Sequence, residues 1–156
     1  MANPVVHIMP WEYERCFAVG AGRFTANWGV PDAPHYERTA MEEDRNAQVA
    51  AAICELAVAK YVNQYWHAGV WHRTDHGKYK SIADVGSNIE VRRVRTRDAV
   101  AVRKKDSGKV VWGAKVADPE YRTVELLGYV SADDVIASLL TDYVYVDISD
   151  LTKPWE

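Results

Sequence analysis

The run Asp84-Val-Gly-Ser-Asn-Ile-Glu90-Val-Arg92 puts a carboxylate at the end of a short apolar stretch, then a turn, then an acid and a cation two residues apart. Side chains on a strand repeat with a period of two, so Glu90 and Arg92 are expected on one face. Hydrolysis of a phosphodiester needs charge neutralised on the phosphate, a deprotonated water and a stabilised leaving oxygen. A hard cation held by carboxylate oxygens can serve all three needs. In that chemistry Asp84 and Glu90 are the metal ligands, the Val91 carbonyl is a third, and Arg92 holds the phosphate and offsets charge in the transition state. The plainer reading of the same string is an ion pair between Arg92 and either acid on an exposed sheet face.

Glu55 lies among Ala51, Ala52, Val58 and Ala59, in a stretch that reads as helix. Those surroundings favour burial, and a buried acid without a cation or partner is costly. His67, His72 and His76 invite a zinc reading. Apart from Asp75 they have no cysteine pair or companion acid at ligand spacing, so they read as loop histidines. Trp66, Trp71 and Tyr79 flank the approach to Asp84, where they either pack or stack on bases. The segment 92–105 holds Arg92, Arg93, Arg95, Arg97, Arg103, Lys104 and Lys105 against Asp98. Such a strip suits a phosphate-facing groove, and it equally suits a strand edge guarded by positive charge.

These residues need elements to position them. The first eight residues read as an extended arm or a short strand. Pro10 opens a helix to about Asn27, which Gly29 and Pro31 end. A long helix follows from about Glu37 to Tyr65, with an Ala-rich centre of high propensity. The pattern then switches to strands at about Ser81–Val85, Asn88–Thr96, Ala99–Lys105, Lys109–Val116 and Tyr121–Val130. Turns at Gly86-Ser-Asn, Arg97-Asp98 and Asp106-Ser-Gly108 predict hairpins, and hence an antiparallel run. Ser131-Ala-Asp-Asp134 opens a short helix to Leu140, and Tyr143–Ile148 closes the series as a strand. The whole is one α+β domain over 1–156, helical in its N-terminal part from about 10 to 65.

The bulk composition bounds the rest. A chain of 156 residues can bury a substantial core without metal or disulfide staples. With Lys+Arg 19 against Asp+Glu 22, the net charge of -3 gives no global field for a nucleic acid. Cys16 and Cys54 fall in apolar helical patterns and read as buried thiols of a reducing compartment. There is no basic start followed by an apolar stretch, and no apolar run of membrane-spanning length. The expectation is a soluble, cytoplasmic protein without a membrane partner.

Taken together, Glu55 in Ile-Cys-Glu-Leu-Ala-Val-Ala-Lys-Tyr, Asp84 in Ile-Ala-Asp-Val-Gly, and Glu90-Val-Arg92 resemble the PD-(D/E)XK nuclease superfamily, the restriction-endonuclease-like fold. That family has an acid on its first core helix, an Asp at a strand end, and Glu-x-Lys on the next strand. The phrase Glu125-Leu-Leu-Gly-Tyr-Val-Ser-Ala-Asp-Asp134 and the closing Asp150-Leu-Thr-Lys-Pro are similar to segments of small phage-encoded members. The resemblance runs from about Trp11 to Pro154. It implies a core of mixed or mostly antiparallel sheet flanked by helices, Mg2+ or Mn2+ as cofactor, and DNA as substrate.

It also implies Asp84, Glu90 and Glu55 as metal or metal-water ligands, Arg92 at the phosphate, and Arg93, Arg95, Arg97, Arg103 and Lys104 along the nucleic acid. A homodimer that cuts both strands in the host cytoplasm follows from the same likeness. The chain departs from the family in one place, where Arg92 stands in the position of the lysine. An arginine stays protonated and can clamp phosphate but cannot take a proton. Lys80 and Lys115 are the candidates for a displaced lysine. An inactive nuclease fold that binds nucleic acid, or a phage structural or accessory protein, is the alternative.

Overall fold

The computed structural model describes residues 1–27, 41–71, 82–136 and 141–156, and only the backbone of residues 41 and 42. Strand β1 is Val5–His7 and helix α1 is Pro10–Asn27, both where the sequence places them. Glu12 in the first turn of α1 accepts the Met9 N–H at 2.8 Å, satisfying one of the donors that a helix start leaves orphaned. Helix α2, Met41–Val62, packs along α1. The two approach closely because Gly20 has no side chain; a Cβ there would lie 2.5 Å from Val49 Cα. Lys60 of α2 bonds Glu12 Oε1 at 2.8 Å and the His7 carbonyl at 2.7 Å, tying the helix pair to β1.

The remaining elements are β2 (Ile89–Arg93), β3 (Ala99–Arg103), β4 (Val110–Val116), β5 (Thr123–Ser131), the short helix α3 (Ala132–Ile136) and β6 (Tyr143–Asp147). Single 3-10 turns follow β3 at Lys104–Asp106 and β6 at Ile148–Asp150. The main sheet has the order β1-β5-β4-β2, and β3 pairs with β6 in a separate ribbon. The class is α+β, as expected from the order of elements, and the main sheet is mixed.

The expected antiparallel run is corrected in one place that matters. β4 is antiparallel to β5, and β5 to β1, but β2 runs parallel to β4. No hairpin forms at Arg97-Asp98 or at Asp106-Ser-Gly108, because β3 leaves the main sheet and pairs with β6. The reason lies in β4, whose residues Val111 to Ala114 are all buried and so need cover on both faces. On one face Trp112, Ala114, Val124 and Leu126 meet Ile53 and Val58 of α2. On the other, Val111 and Leu127 meet Val100 and Val102 of β3 and Val146 of β6. The segment from Val94 to Lys109 is the crossover that parallel strands require, and β3 lies within it.

Full burial of a Val, Ile or Leu side chain contributes roughly 1.5–3 kcal/mol. The two cores therefore fix β4 firmly from both sides. The predicted strand Ser81–Val85 is reduced to Val85, which makes isolated bridges to Trp66 and Ile89. Ser81, and residues 137–140 of the expected helix to Leu140, lie outside the described residues. No helix among the described residues is long and apolar enough to cross a membrane.

Candidate active site

β2 is an edge strand, and its alternation decides what stands at the edge. Val110 N donates to the Asn88 carbonyl at 2.8 Å and Val94 N to that of Ala114 at 2.8 Å, so the even-numbered residues bond toward β4. The odd-numbered ones face outward. The outward Val91 N–H donates to Asp84 Oδ2 at 2.9 Å. N–H and C=O of one strand residue point to the same side, so the Val91 carbonyl shares this open edge with Asp84.

Asp84 is held there by its backbone. Its carbonyl accepts from His67 N at 3.1 Å, Val85 and Ile89 exchange hydrogen bonds at 3.1 Å, and Gly86 N donates to the Tyr65 carbonyl at 2.8 Å. The turn back to β2 passes through Gly86 at φ 57, a left-handed conformation that costs glycine little.

Glu90 and Arg92 share one face, as their spacing requires, and it is the face opposite α2, since Ile89 and Val91 belong to the α2 core. Arg92 Nη1 lies 3.3 Å from Glu90 Oε2. Its Nη2 lies 2.8 Å from both oxygens of Asp106, a side chain only 1% exposed. Asp106 also accepts the Arg103 N–H at 2.9 Å. Lys109 Nζ reaches Glu90 Oε1 at 2.7 Å. On the other side of the edge, Glu55 receives Arg23 in a bidentate pair at 2.7 and 2.9 Å and the Trp66 indole N–H at 3.1 Å. Arg23 is itself oriented by the Gly69 carbonyl at 2.8 Å.

The group thus holds four carboxylates (Glu55, Asp84, Glu90, Asp106) and three cations (Arg23, Arg92, Lys109). Three acids have cationic partners within 3.3 Å, and Asp84 has none among the described residues. Burial, then the charges of Glu55 and Glu90, push the Asp84 carboxyl well above its usual range; the Val91 N–H and the more distant Arg92 act in the opposite sense. Arg92 stays firmly charged, because Asp106, Glu90 and Asp84 outweigh the cost of its burial.

The sequence-derived set is therefore brought together in part. Asp84, Glu90 and Arg92 lie around one edge, and Glu55 acts on Asp84 through its charge while its carboxylate is engaged by Arg23. Among the described residues, no three His, Cys, Asp or Glu side chains form a metal-holding group. His67 Nε2 lies 2.7 Å from the Gly86 carbonyl, a loop contact. His72, His76, Tyr79 and Lys80 lie outside the described residues. Lys115 is exposed toward the far end of β4, opposite Glu125.

Arg23, Asp106 and Lys109 are the participants that sequence reasoning missed; Trp66, expected to pack or to stack near Asp84, packs against the α2 core and donates its indole N–H to Glu55. The basic strip also divides. Arg93 lies on the α2 face, where its charge reaches Cys54, whereas Arg95, Arg97 and Lys104 are exposed and Arg103 is half-buried.

Comparison with protein-family models, with curated proteins and with solved structures finds no match to this chain. The site must be read from its own chemistry.

Proposed function

We propose that this chain is a metal-dependent nuclease of restriction-endonuclease-like fold that hydrolyses DNA phosphodiester bonds, with Asp84 and Glu90 as the residues that hold Mg2+ or Mn2+. The observation that carries the reading is Asp84 itself. It is a half-buried acid without a cationic partner among the described residues, set beside two other carboxylates and an outward-facing backbone carbonyl.

Such oxygens suit a hard cation. Mg2+ commonly takes one or two carboxylates and keeps several waters, so a closed protein cage is not needed. Bound there, the cation would neutralise charge on the phosphate and acidify a water. The protein's own residues supply the rest. Arg92, fixed by Asp106, presents a permanent cation to the phosphate and cannot remove a proton. Lys109 is the amine in contact with Glu90. Glu55, held by Arg23 and Trp66, keeps its charge near Asp84 and favours a cation there.

The resemblance extends the proposal to a phage-encoded enzyme acting as a homodimer in the cytoplasm. Purified protein with Mg2+ or Mn2+ should nick plasmid DNA, and Glu90→Ala should abolish the nicking. Undiminished activity in that variant would remove the site assignment.

A second reading rests on the ion pairs that already engage Glu55, Glu90 and Arg92. On that reading the fold binds nucleic acid without cutting it, or serves as an accessory protein. Salt-sensitive binding that ignores metal and never yields product would select the binding form.

A further inference from the structure

The β3–β6 ribbon shows two different faces. Val100, Val102 and Val146 point inward to the second core, with Val144 packed against it. The outward face pairs Arg103 with Tyr143, Ala101 with Tyr145 and Ala99 with Asp147. Tyr143 and Tyr145 are 49% and 44% exposed, although each carries a large apolar ring that the core beneath could have used. Their rings stand edge to face with centroids 5.4 Å apart. The Arg97 guanidinium lies over the Tyr145 ring at 4.2 Å. The alanines opposite are small and leave the aromatic surface open.

Single exposed aromatics need no explanation. Two on one strand face, with a guanidinium stacked on one of them, form a platform. Cations line β3 and the segments on either side of it: Arg95, Arg97, Lys104 and Lys105 are exposed and Arg103 is half-buried. The exposed acids Asp98, Asp142 and Asp147 stand among them, and Asp133, Asp134 and Asp150 flank the ribbon. The platform also leads to the candidate site. Arg103, opposite Tyr143, donates its N–H to Asp106, and Asp106 holds Arg92.

We propose that the outward face of β3 and β6 binds a single-stranded nucleic acid, whose bases stack on Tyr145 and Tyr143 and whose phosphates follow the arginines and lysines toward Arg92. The direction of the strand rests on the nuclease reading; the binding does not. Stacking on aromatic rings suits unpaired bases, which expose their π-faces, whereas a duplex buries them. Stacking is also indifferent to the sugar, so DNA and RNA single strands share the chemistry.

The test is fluorescence anisotropy of labelled oligothymidylate and oligouridylate, with a duplex of equal length as competitor, in EDTA so that no cleavage intervenes. Wild-type protein should bind one or both single strands more tightly than the duplex, and the two arms identify the sugar. Tyr143→Ala with Tyr145→Ala should weaken binding about tenfold or more, while the Phe pair should retain it. Tyr143→Val with Tyr145→Val preserves strand propensity and should show the same loss, which covers the case in which the alanine pair does not fold. Cleavage of the same oligonucleotides with Mg2+ in place of EDTA is scored separately, so a failure of the nuclease reading is distinguished from a failure of this proposal. Absence of single-strand binding by wild type, or unchanged affinity in folded valine variants, would overturn the proposal. A change of oligomeric state at unchanged affinity would overturn it in favour of a protein contact.

Discussion

Asp84 Oδ2 accepts the Val91 N–H at 2.9 Å, so the acid that opens the motif caps the outer edge of the strand that ends it. One hydrogen bond fixes the carboxylate beside Glu90 and beside the Val91 carbonyl. It is a weak counterweight to the environment: burial and two neighbouring carboxylates raise Asp84 against a single N–H and the more distant Arg92.

That imbalance predicts a pH-dependent cost. The unfolded carboxyl titrates at its ordinary value and the folded one well above it. Between those values the folded state holds the extra proton, so the Asp84 contribution to stability falls as pH rises through that window. Asp84→Asn keeps an oxygen for the Val91 N–H and removes the charge. It should raise the Tm at neutral pH by a few degrees, about 2–4 °C for each kcal/mol recovered. The gain should disappear below the ordinary carboxylate range. Thermal melts of both proteins across pH check it, and a variant less stable at neutral pH would contradict the account.

Asp106 makes the opposite prediction. It is buried at 1% exposure and satisfies both Arg92 and the Arg103 backbone N–H. Removing one partner of a buried pair strands the other charge, at a cost of about 3–5 kcal/mol. Asp106→Ala should therefore lose that much in chemical denaturation, and Asp106→Asn less, because it still accepts hydrogen bonds. Replacing Asp98, exposed in the bend before β3, should change stability by under about 0.5 kcal/mol.

These two residues show what the sequence could carry. Period-two spacing put Glu90 and Arg92 on one face, and that holds because β2 is a regular strand. The Pro10 helix start and the Ala-rich helix were equally plain, being local in origin. Asp106 read as a turn residue of a hairpin, since nothing nearby in sequence says that β3 leaves the sheet. Lys109 was invisible for the same reason. It meets Glu90 because β2 and β4 pair in parallel, with Glu90 opposite Val111, two residues along the same face from Lys109. Arg23 and Glu55 lie on two helices, and their meeting depends on the helix crossing rather than on spacing along the chain.

The helix crossing is itself testable. Gly20→Ala would drive a Cβ to within 2.5 Å of the Val49 backbone, where no flexible side chain end can yield. Helix propensity favours alanine by up to about 1 kcal/mol, but overpacking typically costs about 1–3 kcal/mol. The steric term should win. A net loss in denaturant midpoint is expected, together with weaker hold of Arg23 on Glu55, since both depend on the distance between α1 and α2.

The proposed cation site can be probed without relying on catalysis. A ligand that binds only the folded state stabilises it, by about 2.7 kcal/mol at a hundredfold excess over Kd. Mg2+ or Mn2+ should thus raise the Tm of wild type, and Asp84→Asn and Glu90→Gln should abolish most of that rise. The effect should grow with pH, because Asp84 must lose its proton to take a cation and its carboxyl is held above the usual range. This slope is opposite in sign to the metal-free pH dependence of the same residue, so the two melts discriminate. An equal metal-induced shift in wild type and Asp84→Asn would mean the cation binds elsewhere. Asp84 would then be an acid whose burial the fold tolerates, and the nuclease reading would lose the observation that carries it.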